Sequence, residues 1–158
     1  MSRRLHRQKA AELLSAARSD VGMTLVELAN AIGVEPELVA MWERGDAYPD
    51  ETALAKARRA TRLRPSIPLA LFADDILLEA EHHHVVDVRV FGSAVRGHDT
   101  ERSDIDLLVG TTSDTSLFGL GAFVLAVEEL TGFPVDVLTD DLRGDPHFEH
   151  VLAEAVPL

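Results

Sequence analysis

Two aspartates, one residue apart, lie in an apolar segment where charged side chains are costly to bury. The segment DIDLLV, residues 104–109, alternates in a way that predicts a β-strand with Asp104 and Asp106 on one face. Neighbouring carboxylates repel each other, which favours protonation of one of them. A hard divalent cation such as Mg²⁺ would relieve this repulsion, because it prefers carboxylate and phosphate oxygens as ligands.

A third aspartate and a Gly-Ser turn could complete a site around this pair. Asp136 is central in a short strand pattern, residues 135–139, and could supply a third carboxylate. Gly92 and Ser93 follow another strand pattern. The glycine allows close backbone approach to a ligand, and Ser93 can cap a short helix that starts at Ala94. Free N–H groups at such a turn bind phosphate oxygens. A phosphate cradle facing a carboxylate-bound metal is what phosphoryl or nucleotidyl transfer requires.

The rest of the chain predicts the elements that position these residues, in two domains. The segment RPSIP, residues 64–68, separates an all-α domain, residues 1–65, from a small mixed-sheet α/β domain, residues 66–158, so the fold class is α+β. The first domain is expected to hold four helices. One ends near Asp20, one is capped by Thr24 and Glu27, one begins at Pro36, and one runs from Asp50 to Leu63.

The second domain is expected to alternate helices with strands. Apolar periodicity predicts helices over 69–81, 117–130 and 146–155, the middle one buried. Strands are expected over 85–91, 104–109 and 135–139, the first with Val86, Val88 and Val90 on one face. No internal repeat interrupts this pattern.

Composition and charge narrow the classes of protein. The chain has 158 residues and no cysteine, which excludes a disulfide framework and fits the cytoplasm. Neither a signal peptide nor a segment long enough to span a membrane is recognisable. Residues 1–65 carry 11 basic and 9 acidic side chains, whereas residues 66–158 carry 4 and 18. The first domain could therefore approach nucleic acid, and the second would be repelled by it without cations.

The site residues resemble a known family signature. Gly92-Ser93, ten residues, then Asp104-Ile105-Asp106 is similar to the G-S-x10-D-x-D motif of minimal nucleotidyltransferases in the DNA polymerase β superfamily. The resemblance covers about residues 69–158 and implies that Gly92 and Ser93 hold the β- and γ-phosphates of ATP. It further implies that Asp104 and Asp106 bind Mg²⁺, that Asp136 binds a second metal and helps to activate the attacking hydroxyl, and that Arg96 contacts phosphate.

The same resemblance implies a biological role. Such proteins are often antitoxins of bacterial toxin–antitoxin pairs, and they transfer AMP from ATP to a partner toxin with release of pyrophosphate. The partner would be a HEPN ribonuclease, modified on a tyrosine, or a larger nucleotidyltransferase toxin. A homodimer and a hetero-oligomer with the toxin are both compatible with the sequence. A fused DNA-binding domain would suit an antitoxin that also represses its own operon.

Residues 23–50 contain Thr24, Leu28, Ala29, Gly33, Val34, Val39, Trp42-Glu43-Arg44-Gly45 and Pro49. This pattern resembles the XRE-type helix-turn-helix of phage-repressor-like regulators, with Trp42 expected in the core. The candidate DNA-contacting residues on its recognition helix are Glu37, Met41 and Arg44. The start of that helix departs from the family, which usually has Ser, Gln, Thr, Asn or Arg there to bind bases and phosphates. Glu35 and Glu37 stand at these positions, and DNA phosphates would repel their carboxylates. Binding of operator DNA and a helical module for dimerisation or protein docking both remain open.

Two other functions compete with the enzymatic antitoxin. One is a non-catalytic protein that binds a toxin or represses DNA, with a vestigial nucleotidyltransferase fold. The other is an enzyme that modifies a small molecule such as an aminoglycoside. The second ranks last, because enzymes of that kind usually carry a further domain for the acceptor and this sequence has barely one helix after its third strand.

Overall fold

The computed structural model describes residues 3–142, 144, 146 and 148–158. The chain divides into two compact units, Met1–Leu63 and Arg64–Leu158. Among the described residues, no helix is both long and apolar enough to cross a bilayer. In chain order the elements are α1 (Arg3–Asp20), α2 (Leu25–Ile32), α3 (Pro36–Arg44), α4 (Glu51–Ala60), α5 (Ser66–Leu71), α6 (Ala73–His82), β1 (Val85–Phe91), α7 (Ser93–Arg96), β2 (Ile105–Thr111), α8 (Leu117–Thr131), β3 (Val135–Thr139), a 3₁₀ turn (Asp140–Leu142), α9 (Glu149–Glu154) and β4 (Val156–Pro157).

Helices α1 to α4 form the amino-terminal unit, and local signals set their ends. The Thr24 hydroxyl accepts a hydrogen bond from the Glu27 N–H at 3.2 Å, and the Glu27 carboxylate accepts one from the Thr24 N–H at 2.7 Å. This is the predicted capping box. Pro36 opens α3 as predicted. Helix α4 is shorter than expected, since it ends at Ala60 and Arg62 adopts a left-handed backbone with φ 46°.

An apolar core and one ion pair hold the four helices together. Trp42 is buried in this core, as predicted, together with Leu14, Leu28, Ala29, Ile32, Val39 and Ala57. Arg18, near the end of α1, donates two hydrogen bonds to the Glu43 carboxylate at 2.6 and 2.9 Å. A bidentate pair fixes the relative orientation of two side chains. It therefore ties α1 to α3.

The carboxy-terminal unit is built on a four-stranded mixed sheet of order β3-β2-β1-β4. β1 pairs antiparallel with β2 and β4, whereas β2 and β3 run parallel. β2 is covered on both faces, since Leu107, Leu108 and Val109 are all fully buried. Phe148 and Val151, around the start of α9, pack against Leu108. The predicted mixed sheet is confirmed.

Two of the predicted strands differ locally from expectation. β2 begins at Ile105, whose N–H binds the Pro134 carbonyl, so Asp104 lies just before the strand and not within it. In β1 the expected alignment of Val86 with Val88 and Val90 is wrong. A register shift after Val86, where Asp87 adopts φ 50°, inserts an extra residue as in a β-bulge. Val86 is therefore exposed while Val88 and Val90 are buried.

Three predicted helices also need correction. The expected helix over 69–81 is two helices, α5 and α6, because the backbone leaves helical geometry at Phe72, whose ring is buried. α8 is buried on one side only: Phe123 and Val127 are fully buried, whereas Leu117 and Phe118 are 87% and 92% exposed. The last helix begins at Glu149, three residues later than expected, and the following short strand β4 was not predicted.

Candidate active site

The three predicted aspartates come together at one end of β2 and β3. Asp106 lies directly opposite Asp136 in the parallel pairing of these strands. Asp104 precedes β2 by one residue, and the fully buried Ile105 separates it from Asp106. One carboxylate oxygen from each aspartate lies within 4.8 Å of those from the other two. The proximity of Asp104 and Asp106 that their spacing predicts is therefore present, and the pairing of β2 with β3 adds Asp136 as the third carboxylate.

The aspartate cluster carries more negative charge than its surroundings neutralise. Asp106 is half-buried, whereas Asp104 and Asp136 are exposed. Burial raises the pKa of Asp106, and the charges of Asp104 and Asp136 raise it further. The Arg96 guanidinium acts in the opposite direction, and the Glu154 carboxylate adds to the increase. Such a cluster favours a bound proton or a bound cation.

The chemistry of the donors fits a hard divalent cation. All three are carboxylate oxygens, which suit Mg²⁺ or Mn²⁺ and not the mixture of nitrogen and sulfur ligands that marks a structural zinc site. Two of the three carboxylates are exposed, which leaves room for water or phosphate oxygens beside them. Asp104, Asp106 and Asp136 could thus hold a divalent metal ion.

The raised pKa of Asp106 predicts how the stability of the metal-free protein depends on pH. The folded chain binds this proton more tightly than the unfolded chain does. Asp106 therefore contributes to the stability of the folded protein below its ordinary pKa of 3.8. This contribution is lost as the pH rises through the higher pKa that Asp106 has in the folded protein. We expect Asp106→Asn to raise Tm in EDTA at neutral pH and to reduce the fall in Tm above about pH 4. Thermal unfolding at a series of pH values tests this, with the exposed Asp114→Asn as control. An unchanged profile for D106N would contradict it.

The Gly92 turn lies in close contact with the aspartate cluster. Phe91, the last residue of β1, pairs with Asp106 on β2. Gly92 follows with φ 76° and ψ −149°, a region that is essentially restricted to glycine. A Cβ atom added to Gly92 would lie 2.0 Å from the Asp106 Oδ2 atom. The turn and the carboxylates therefore form one site, and glycine is required by both conformation and space.

Ser93 and Arg96 lie on α7, the single helical turn that follows. The prediction that Ser93 caps a helix starting at Ala94 is wrong, because Gly92 holds the cap position and Ser93 is the first helical residue. Ser93 is half-buried, and its carbonyl accepts a hydrogen bond from the His98 N–H at 3.0 Å. Arg96 is at its end, and Gly97 closes the turn in a left-handed conformation. All six residues predicted to bind nucleotide or metal are thus grouped around the ends of β1, β2 and β3.

Glu154, which no sequence pattern predicts, joins this group from a position far along the chain. The Arg96 Nη1 atom donates a hydrogen bond to the Glu154 Oε1 atom at 2.6 Å. Glu154 is the last residue of α9, and 58 positions separate it from Arg96. A lone glutamate at the end of an amphipathic helix normally indicates a solvated face. No local pattern could therefore have pointed to it.

Asp99 fastens the loop between Ser93 and Asp104. Its side chain is fully buried and accepts hydrogen bonds from the Ser66 N–H at 2.8 Å and from the Arg64 guanidinium at 3.3 Å. The Ser103 hydroxyl accepts a further bond from the Thr100 N–H at 3.0 Å. The loop that carries Asp104 is thereby anchored to the start of α5.

Removal of this anchor should loosen the loop. Asp99→Ala would leave the Ser66 N–H and the Arg64 guanidinium without their buried acceptor, at a cost of about 1–3 kcal/mol in the free energy of unfolding. Denaturant titration measures that loss, with Asp114→Ala as the control because Asp114 is exposed. If the Asp99→Ala variant has the same free energy of unfolding as the wild type, the loop does not depend on this contact.

The three candidate DNA-contacting residues share one face of α3. Glu37, Met41 and Arg44 are all exposed, while Val39 and Trp42 face the core. The Arg44 Nε atom donates a hydrogen bond to the exposed Asp46 carboxylate at 2.8 Å. The positive charge on this face is therefore already paired with an acid, and Glu37 adds a negative one.

Comparisons with known proteins identify the class. Residues 74–155, just over half of the chain, match the family described as "nucleotidyltransferase domain". The chain is 38% identical over 74 residues to a "putative protein adenylyltransferase" of Methanocaldococcus jannaschii, which covers 47% of this chain and 80% of that protein. The solved structure of a "putative minimal nucleotidyltransferase" aligns with a TM-score of 0.54 and 36% identity, over 59% of this chain and 95% of the other. The chain belongs to the nucleotidyltransferase domain family.

Proposed function

We propose that the protein is a Mg²⁺-dependent nucleotidyltransferase that transfers AMP from ATP to a partner protein. The observation that carries the proposal is the contact between the Gly92 turn and the Asp106 carboxylate, beside Asp104 and Asp136. This contact supports the proposal, because a glycine turn at a helix start suits phosphate and a carboxylate cluster suits a divalent cation. The relative from M. jannaschii, which bears the words "protein adenylyltransferase" in its name, supports a protein acceptor.

Each site residue has a role in this proposal. Backbone N–H groups of the Gly92-Ser93 turn and the Ser93 hydroxyl bind the β- and γ-phosphates. Asp104, Asp106 and Asp136 hold the Mg²⁺ ions, and the exposed Arg96 contacts a phosphate oxygen. When bound, Mg²⁺ neutralises phosphate charge and orients the triphosphate for displacement. The carboxylates thus act through the metal ions that they would hold.

The transfer is a single displacement at the α-phosphorus. The acceptor hydroxyl oxygen forms a bond to that phosphorus while the bond between the α-phosphorus and the α,β-bridging oxygen breaks. Pyrophosphate leaves with the bonding electron pair, and the hydroxyl proton passes to the exposed Asp136 carboxylate. The products are an AMP ester of the acceptor and pyrophosphate.

The position of the label in ATP tests this reaction. The protein is incubated with Mg²⁺, a candidate acceptor and ATP labelled at either the α- or the γ-phosphate. The proposal predicts that α-label enters the acceptor protein and that γ-label appears in pyrophosphate. Transfer of γ-label to protein would instead show a kinase, and no transfer of either label would favour a protein that acts by binding alone.

We further propose that the protein is the antitoxin of a bacterial toxin–antitoxin pair and acts in the cytoplasm. The acceptor would be its cognate toxin, either a HEPN ribonuclease or a nucleotidyltransferase toxin. AMP on an essential hydroxyl would add bulk and negative charge and so block the activity of the toxin. The competing function is a non-catalytic antitoxin that inhibits by binding. The intact aspartate cluster favours the enzyme, because a protein that only binds has no need of three mutually repelling carboxylates.

The amino-terminal unit is proposed to be an XRE-type helix-turn-helix domain that contacts operator DNA. α2 and α3 are joined by a short turn at Gly33, whose φ of 80° closes α2, and they lie in contact with each other. The acidic start of α3 opposes strong binding. Regulation of the operon would then depend on other contacts or on a complex with the toxin.

A charge change at the start of α3 tests whether this helix enters the groove. We expect Glu35→Gln with Glu37→Gln to raise the affinity for promoter DNA roughly tenfold at low salt, because two carboxylates no longer face phosphates. Fluorescence anisotropy with the promoter of its own operon measures this, with the exposed pair Glu81→Gln and Glu129→Gln as a charge-matched control. Equal effects of the two double variants would favour a docking role for the helix.

A further inference from the structure

The pair formed by Arg96 and Glu154 carries an inference that rests on the proposed function. Arg96 ends the turn that follows Gly92 and Ser93, and its Nη1 atom binds the Glu154 Oε1 atom at 2.6 Å. The two side chains differ in exposure: that of Arg96 is 54% exposed, whereas that of Glu154 is 21% exposed. The Glu154 carboxylate is therefore the more buried partner, and the Arg96 guanidinium is the more exposed one.

Glu154 is fixed to the strand that leads into the site. It ends α9, whose Val151 packs against Leu108 of β2. Two residues later Val156 pairs with Val90 of β1, which lies two positions before Gly92. The position of Glu154 is therefore set by the same strand that sets the position of the Gly92 turn.

Both members of the pair act on the aspartate cluster. The charge of Arg96 lowers the pKa of Asp106 and that of Glu154 raises it, so both lie within electrostatic range of the cluster. A glutamate in such a place has an electrostatic cost, because ATP and three aspartates are already negative. Its presence needs a gain elsewhere, and the hydrogen bond to Arg96 supplies one.

We propose that Glu154 is a positioning residue that holds the Arg96 guanidinium ready for the triphosphate of the nucleotide. A free arginine side chain loses considerable rotamer entropy when a ligand immobilises it. The bond from Nη1 to Glu154 orders Arg96 beforehand, and the planar guanidinium keeps donors on its other nitrogens for phosphate oxygens. Glu154 itself touches no nucleotide; it acts through Arg96.

The opposite arrangement is a gate, in which Glu154 competes with phosphate for Arg96. A gate and a positioning residue differ in the sign of the effect. If Glu154 is a gate, its removal makes ATP bind more tightly. If Glu154 is a positioning residue, its removal makes ATP bind more weakly. The charge lost with Glu154 also changes direct repulsion of ATP, so one variant alone cannot separate the two effects.

A double-mutant cycle on the full chain separates them. Isothermal titration calorimetry measures Kd for α,β-methylene ATP, which cannot transfer AMP, in excess Mg²⁺. The four proteins are the wild type, Glu154→Ala, Arg96→Ala and the double variant. We expect Glu154→Ala to raise Kd roughly threefold to tenfold when Arg96 is present and not to raise it in the Arg96→Ala background. Glu154→Gln, which keeps an acceptor oxygen, should have a smaller effect.

Each other result overturns the inference. A lower or unchanged Kd for Glu154→Ala would establish a gate or no role. An equal increase in both backgrounds would mean that Glu154 acts through the fold, which thermal unfolding of the same four proteins would reveal. If the wild type binds no nucleotide while it remains folded, the proposed function itself fails, and the positioning role fails with it.

Discussion

Replacement of Asp104 and Asp106 together by alanine is expected to abolish AMP transfer and to leave the metal-free protein as stable as the wild type or more so. The variant loses two of the three carboxylates that converge within 4.8 Å, and with them the proposed Mg²⁺ ligands. Metal ions stabilise transferring phosphoryl groups by several kcal/mol, so the rate should fall roughly a thousandfold or more. Stability should not fall, because the burial and the neighbouring charges that raise the pKa of Asp106 disfavour its carboxylate in the metal-free protein.

The matched control removes the same charge from elsewhere in the unit. Glu81→Ala with Glu129→Ala deletes two exposed carboxylates from α6 and α8. We expect this control to transfer AMP at the wild-type rate. Transfer assays and thermal unfolding in EDTA provide the two measurements. Wild-type transfer by the variant that lacks Asp104 and Asp106 would contradict the assignment of the metal site.

Gly92→Ala should damage both the fold and the chemistry. The backbone there has φ 76° and ψ −149°, and strain in such a region costs about 1–3 kcal/mol for a residue with a Cβ atom. The new methyl group would also lie 2.0 Å from Asp106 Oδ2, so either the turn or the carboxylate must move. We expect a lower Tm and a loss of transfer that exceeds what the fraction of unfolded protein explains.

Gly97 provides the comparison for Gly92. Its φ is 69°, but among the described residues other than its two chain neighbours no atom lies within 4 Å of an added Cβ. Gly97→Ala therefore introduces a positive-φ alanine without a collision, and it should lower Tm while transfer by the folded protein persists. Equal transfer by the two variants would show that close contact between the turn and Asp106 is not needed for the reaction.

The local sequence predicts the parts of this site that depend on spacing along the chain. Asp104 and Asp106 flank the buried Ile105, and alternation alone indicates that their side chains lie together. Glycine followed by serine after a strand predicts the turn. Asp136 is a weaker case, because only the parallel pairing of β2 and β3 brings it opposite Asp106.

The parts that were missed depend on tertiary structure. Glu154 contacts Arg96 because α9 packs on the sheet and β4 pairs with β1. No pattern in the neighbouring sequence predicts this packing or this pairing. The bulge in β1 has the same origin: Asp87 with φ 50° shifts the register, which alternation cannot foresee. Burial of α8 was overestimated because an almost wholly apolar sequence does not show which side faces the sheet.

The aspartate cluster and the Gly92 turn are proposed to transfer AMP to a partner protein. Intact-mass spectrometry of the product of the neighbouring gene, after incubation with this protein, ATP and Mg²⁺, tests it most directly. We expect an added AMP that disappears in EDTA and with the Asp104→Ala, Asp106→Ala variant. A tight complex between the two proteins without any added AMP would contradict it and would identify a protein that acts by binding.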